Sequence, residues 1–245
     1  MINCKLISFF LLTLIYGISS LEAQNANELL LNMDKLMSAP KDKQAIVKMV
    51  LTNKAGKEKI REAVLKQKGM YKKLYRYTKP EKKAGISTLS LPNDIMWLYM
   101  PAFEKPLKIS LLSKSQAFTG TDFSYEDMSG IPYSERYTPK LGKSNDPDVY
   151  LLELVPKSKR LKYSKIILYL DKAQNYPIKM EYFNKNNLFD KVATYKYAKK
   201  GKYWYAEEVL MVDVKKEHST GIFLTDVKFD QGLADEEFLV ENLKQ

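Results

Sequence analysis

One cysteine and one histidine are all that 245 residues hold of the side chains most used for metal binding and nucleophilic chemistry. Cys4 stands before the first apolar run, whereas a lipoprotein acylation cysteine would follow it. A chain that begins after residue 23 therefore has no disulfide, no thiol nucleophile and no thiolate metal site. His218 has no second histidine with which to share a zinc ion. Its setting, Lys215-Lys216-Glu217-His218-Ser219-Thr220, reads as a hairpin turn that leaves it on the surface. The ten glycines are scattered, which excludes a phosphate-cradling glycine loop. Beyond residue 23 no stretch approaches the roughly 20 apolar residues of a membrane-crossing helix.

What is present at the start reads as an export signal. Lys5 supplies a positive charge. Leu6 to Ile18 is apolar except for Ser8, Thr13 and Gly17, and Ser19-Ser20-Leu21-Glu22-Ala23 offers a cleavage point after Ala23. This order is that of a cleavable signal peptide over residues 1–23, and the apolar run is too short to be a comfortable membrane anchor. The rest, 24–245, has a globular balance of 45% hydrophobic and 28% charged residues. Its length is enough for one large β domain with a sizeable core. The net charge is +11, and removing 1–23 takes away one Lys and one Glu and leaves it unchanged. The excess peaks between Lys54 and Lys83. It suits an anionic partner such as a lipid headgroup or an acidic protein, and serves equally as a solubilising surface. Export argues against nucleic acid.

Periodicity divides the exported part in two. Over 24–38, Ala26, Leu29, Leu30, Met33, Leu36 and Met37 recur at helical spacing, and Pro40 ends the pattern. From residue 43 the period is two: Ala45, Val47, Met49 and Leu51 alternate with polar neighbours. Strands are expected over 43–52, 57–68, 70–78, 85–91, 94–100, 106–112, 134–141, 148–156, 163–171, 176–185, 188–198, 202–216 and 219–229. Short turns separate them, for example Asn53-Lys54-Ala55-Gly56 and Asn145-Asp146-Pro147. Short regular connections mean an antiparallel sheet, as a meander or barrel. Two short helices are expected, one after Thr121 or Asp122 as cap, and one over 235–243 packing Phe238, Leu239 and Leu243. Several strands are apolar on both faces. In 94–100, Ile95, Trp97 and Tyr99 oppose Met96, Leu98 and Met100, so both sides of that strand need cover.

Catalytic patterns are thin. Asp122, Glu126 and Asp127 cluster, and a pair such as Asp122 and Glu126 could serve a hydrolase. On a short helix such residues more commonly act as caps and dipole partners. The tyrosines interleaved with Lys and Arg, such as Tyr75, Tyr77, Tyr195 and Tyr197, fit cross-strand packing better than stacking on sugars or bases. Denser information lies in 94–125. Met96, Trp97, Tyr99, Met100 and Phe103 come from one strand and its turn, Phe118, Phe123 and Tyr125 from the segment after it, and Met33 and Met37 from the first helix. Methionine adapts to flexible chains. These residues serve equally as an ordinary core or as the wall of a cavity.

Three stretches carry a family resemblance. They are Asn93-Asp94-Ile95-Met96-Trp97-Leu98-Tyr99-Met100-Pro101, then Lys108-Ile109-Ser110, then Phe118-Thr119-Gly120-Thr121-Asp122-Phe123-Ser124-Tyr125-Glu126-Asp127-Met128. They resemble the outer-membrane lipoprotein-sorting protein group, which is LolA-like. The resemblance implies a mainly β (α+β) fold, a curved antiparallel half-open β-barrel with helices covering its concave face. It implies a monomeric periplasmic carrier without cofactor, metal or enzymatic activity. Such a carrier would shelter the acyl chains of a lipoprotein or other lipid between an inner-membrane donor and an outer-membrane acceptor. On that reading Met33, Met96, Trp97, Tyr99, Met100, Phe118, Phe123 and Tyr125 line the cavity, and 122–128 belongs to its lid. Arg61, Arg76, Arg136 and Arg160 are all open as the carrier's latch. The alternative is a periplasmic sensor or accessory protein that binds a membrane protein.

Overall fold

The computed structural model describes residues 25–110 and 113–244. The expected signal peptide and its expected cleavage point lie outside the described residues, as do 111–112 of the strand expected over 106–112. A helix, α1, spans 25–37. Ala26, Leu30 and Met33 are fully buried along one stripe of it, which is how the three- and four-residue spacing turns one face toward a sheet.

The sheet begins with β1 (Asp42–Thr52), β2 (Glu58–Lys68), β3 (Lys72–Lys79), β4 (Ser87–Leu91), β5 (Ile95–Tyr99) and β6 (Leu107–Lys108). After a long connection with two single-turn helices, α2 (Tyr125–Met128) and α3 (Tyr133–Arg136), come β7 (Tyr137–Gly142), β8 (Val149–Pro156) and β9 (Lys165–Asp171). β10 (Pro177–Phe183), β11 (Phe189–Lys200), β12 (Tyr203–Asp213) and β13 (His218–Phe229) complete it. The order across the sheet is β6-β5-β4-β3-β2-β1-β13-β12-β11-β10-β9-β8-β7. The pairings are antiparallel throughout, from β1 against β2 to β7 against β8.

This order has a geometric result. β1 and β13, nearly the first and last elements in sequence, pair at the centre of the sheet. β6 and β7, neighbours in sequence, are its two edges. The connection between them, described over 113–136, must therefore travel from one edge to the other. It does so across the concave face and forms, with α1, the cover over that face. The sheet curves without closing, the expected half-open barrel.

Alternation places the apolar side chains. Ala45, Val47, Met49 and Leu51 of β1 are buried while Lys48 is exposed. With Leu65, Leu168, Met180 and Ala193, the side chains of Val47, Met49 and Leu51 build the main core beneath α1 and the crossing segment. A second cluster lies on the convex face, where Leu74, Leu89 and Tyr99 pack against Leu233, Phe238 and Leu243, with Trp97 at its margin. This explains why β5 is apolar on both sides: Met96 faces the main core and Trp97 and Tyr99 face the C-terminal segment. The helix expected over 235–243 is instead two 3-10 turns, Asp235–Phe238 and Val240–Lys244. Extended backbone at Leu239 divides them, and Leu239 is 47% exposed. The strand expected from 134 starts at Tyr137, because Asp34 accepts the amide protons of Tyr133 (3.0 Å) and Ser134 (2.8 Å) and so satisfies the open start of the helical turn that follows Pro132.

Candidate functional site

Between the concave face and its cover lies a cavity of about 220 Å³. Its floor is the middle of the sheet, from β3 across β1 to β11. Leu65, Tyr75, Tyr195, Val209, Ile222 and Leu224 line it from the strands. Phe123, Met128, Ile131 and Tyr133 close it from the crossing segment, and Met37 stands at the end of α1. Aromatic rings dominate one side: Tyr176 packs on Tyr197 at 4.8 Å, and Trp204 and Tyr205 continue that wall. Burial pushes the phenols of Tyr195 and Tyr197 well above their ordinary range, so they stay protonated. Lys43, Gln67 and Lys73 also reach the cavity, as do Asp34, Asp127 and Arg136.

The cover is held by polar contacts at several points. Arg61 donates to the Thr119 carbonyl at 2.8 Å. The Asp122 amide donates to Thr220 Oγ1 at 3.1 Å, and the Thr220 hydroxyl returns a bond to Asp122 Oδ2 at 2.6 Å. Lys191 donates to the Asp122 carbonyl. Ser124, not Thr121 or Asp122, caps α2: its hydroxyl accepts from the Asp127 amide at 3.2 Å while its own amide donates to Asp127 Oδ2 at 2.7 Å. That reciprocal box is written in the sequence as Ser124-x-x-Asp127. Gly130 passes so close to β3's entry that a Cβ there would meet the Tyr71 carbonyl oxygen at 2.5 Å.

The acidic cluster is fully engaged in structure. Glu126 is buried, accepts from Tyr137 (3.2 Å) and from the Lys162 amide (3.0 Å), and pairs with Arg136. Burial raises its carboxyl pKa despite the Arg136 charge. Asp127 Oδ2 also accepts from Tyr163 at 3.0 Å. Asp122 Oδ2 lies 2.7 Å from His218 Nδ1. His218 is thus not a free turn residue. It opens β13, half-buried, and holds the cover. A Thr-His-Asp triad would point the hydroxyl at the imidazole. Here imidazole and hydroxyl converge on one carboxylate oxygen, and Thr220 is fully buried. Among the described residues no group of three His, Cys, Asp or Glu side chains could hold a metal ion.

The eight residues expected around a cavity are distributed as follows. Phe123 lines the cavity. Met33, Met96, Phe118 and Tyr125 are buried in the main core, with the Phe118 ring 5.7 Å from Tyr75 and 5.4 Å from Tyr125. Met100 packs against that core from its margin, while Trp97 and Tyr99 belong to the convex cluster. The aromatic wall of β11 and β12 and the lysines of β1 and β3 went unselected. Their signal was present as tyrosines interleaved with Lys, a pattern that ordinary strand packing also produces. Of the four arginines, Arg61 bonds the cover directly and Arg136 reaches the cavity. Arg76 donates to the Asn242 carbonyl at 2.7 Å on the convex side.

A curved, open antiparallel sheet roofed by α1 and a strand-to-strand crossing, with an apolar cavity between, is a LolA-like fold. The chain shares this fold with a domain from Vibrio parahaemolyticus described as outer membrane lipoprotein-sorting, at 29% identity and TM-score 0.83, covering 91% of this chain and 100% of that one. It is similar to a DUF1329 family protein from Desulfovibrio piger, at 23% identity and TM-score 0.83 over 91% of this chain and 99% of that one. A LolA superfamily protein from Nitrosomonas europaea has the same fold at 20% identity and TM-score 0.74, over 87% and 97% of the two chains. No curated protein sequence matches. The model of a family described as "Uncharacterized protein" covers residues 69–245, and the chain belongs to that family.

Proposed function

We propose that residues 24–245, exported by the signal peptide at 1–23, form one carrier domain of the periplasm. It shelters acyl chains of a lipoprotein or another lipid for transfer toward the outer membrane. The observation that carries this reading is the cavity itself. Aromatic and aliphatic side chains from β3, β11, β12, β13 and the crossing segment enclose it, in a fold shared with a lipoprotein-sorting domain. Each methylene moved there from water contributes about 0.8 kcal/mol, so cargo can be held without covalent chemistry. At about 220 Å³ the cavity is smaller than the roughly 300–1,000 Å³ of small-molecule sites. Loading of long or multiple chains then requires the crossing segment to lift from the sheet. The carrier acts as a monomer, with a donor at the inner membrane and an acceptor at the outer one.

Native mass spectrometry of the exported protein, purified without detergent, tests this. Co-purified acyl lipid, lost in Phe123→Ala and kept per folded molecule in Trp97→Ala, is the expected result. A clean unliganded mass that stays unchanged after lipid addition would replace the carrier by a module that binds a membrane protein.

A further inference from the structure

One row of the concave face departs from its apolar neighbours. Lys43 of β1 is in register with Gln67 of β2, which is in register with Lys73 of β3. All three point into the cavity. The next row inward is Ala45, Leu65 and Tyr75. A cationic row thus borders an apolar floor, with Lys43 and Lys73 on the strands that flank Gln67, two strand spacings of roughly 4.8 Å apart.

These cations lack countercharges. Lys73 donates to the Ser129 carbonyl at 3.2 Å, and among the described residues neither Lys43 nor Lys73 has a carboxylate within ion-pair distance. Burial alone lowers the Lys43 pKa to about 8. Burial, then the nearby charges of Lys43 and Arg136, lowers Lys73 to about 7. Arg136 Nε, buried beside them, has no hydrogen-bond acceptor. The two carboxylates that line the cavity are already used. Asp34 accepts the amides of Tyr133 and Ser134, and Asp127 is taken by Ser124 and Tyr163. A half-buried cation without a countercharge is costly, and perturbed groups of this kind at the rim of a cavity mark a place where a ligand supplies the missing charge.

We infer that the cavity takes an anionic amphiphile: its acyl tail lies on the aromatic floor, and its carboxylate or phosphate head sits between Lys43 and Lys73, with Arg136 behind. The inference rests on the carrier reading and adds the head-group class of the cargo. A neutral head would leave both cations unpaired, whereas an anion forms charge-assisted hydrogen bonds with each.

The test uses three probes of one tail length, dodecanoate, dodecyl phosphate and dodecanol, titrated by calorimetry into the mature protein and into Lys43→Met/Lys73→Met. The wild type is expected to bind at least one of the two anions about tenfold or more tightly than dodecanol, and the double variant to lose that margin while binding dodecanol as before. Preference for dodecyl phosphate would assign the head to a phospholipid, and preference for dodecanoate to a fatty acid. Equal binding of all three probes by the wild type would overturn the anion site and leave the carrier intact. So would an anion margin that survives in the double variant, or in Lys43→Gln/Lys73→Gln should the first not fold. Binding of none of the three would remove both readings together.

Discussion

Asp122 Oδ2 and His218 Nδ1 lie 2.7 Å apart, and this contact ties the middle of the crossing segment to the first residue of β13. The same carboxylate accepts from the Thr220 hydroxyl at 2.6 Å. Replacing it in Asp122→Ala leaves the buried Thr220 hydroxyl and the half-buried His218 ring without their acceptor. The expected cost is about 1–3 kcal/mol in urea unfolding. Amide hydrogen exchange should also quicken over 117–124 more than in β8 and β9. Uniform quickening would mean that the contact supports the whole sheet and not its cover.

Gly130 is spaced for a hydrogen side chain. Gly130→Ala would set a methyl against the carbonyl oxygens of Tyr71 (2.5 Å) and Met70 (2.9 Å), neither of which can rotate away. The segment must shift outward, at a cost of about 1–3 kcal/mol. Thermal unfolding measures the loss. An unchanged midpoint would show that the 128–132 stretch is not seated as described.

On the convex face, Phe238 and Leu243 seal Leu74, Leu89 and Tyr99. Phe238→Ala is expected to destabilise by about 3–5 kcal/mol, with lipid retention per folded molecule unchanged because the cavity lies on the other face. A drop in retention at full stability would place the C-terminal segment in cargo handling.

Lys73 gives a pH signature. Its pKa is lowered from 10.5 to about 7, mainly by burial. Below pH 7 both folded and unfolded chains carry the charge, and the folded chain bears the full desolvation cost. Between pH 7 and 10.5 the unfolded chain holds a proton that the folded chain has released, so stability rises with pH. Lys73→Met should therefore be more stable than the wild type by about 1–3 kcal/mol at pH 6, with the gap closing toward pH 10. Denaturant titrations at the two pH values read it directly, and a gap that widens with pH would contradict a half-buried ammonium without a countercharge.

Much of the fold was legible. The turns at Asn53–Gly56 and Asn145–Pro147, the helical stripe of Ala26, Leu30 and Met33, and the strict alternation of β1 each follow from local rules, and each lies where those rules put it. Leu239 and the start of β7 were less accessible, because they turn on a single extended residue and on a carboxylate from α1. The cavity was harder still. Its walls come from α1, β3, β11, β12 and β13, and no window of sequence contains more than a part of it. Trp97 and Phe123 look alike as large apolar residues in one stretch, yet alternation and the crossing send them to opposite faces.

The pairing of β1 with β13 also bears on how the protein folds. Most strand pairs join neighbours in sequence and can form as soon as two strands exist. β1 cannot gain its second partner until almost the whole chain is available, since Lys43 meets Phe229 and Thr52 meets Ser219. Closing so large a loop is slow. Until it closes, a β1–β6 meander and a β7–β13 meander each present an open, hydrogen-bond-hungry edge to the surroundings. The last strand to arrive acts as a keystone, and a chaperone that shields the β1 edge would be expected to raise the yield of folded protein more than one that shields either outer edge.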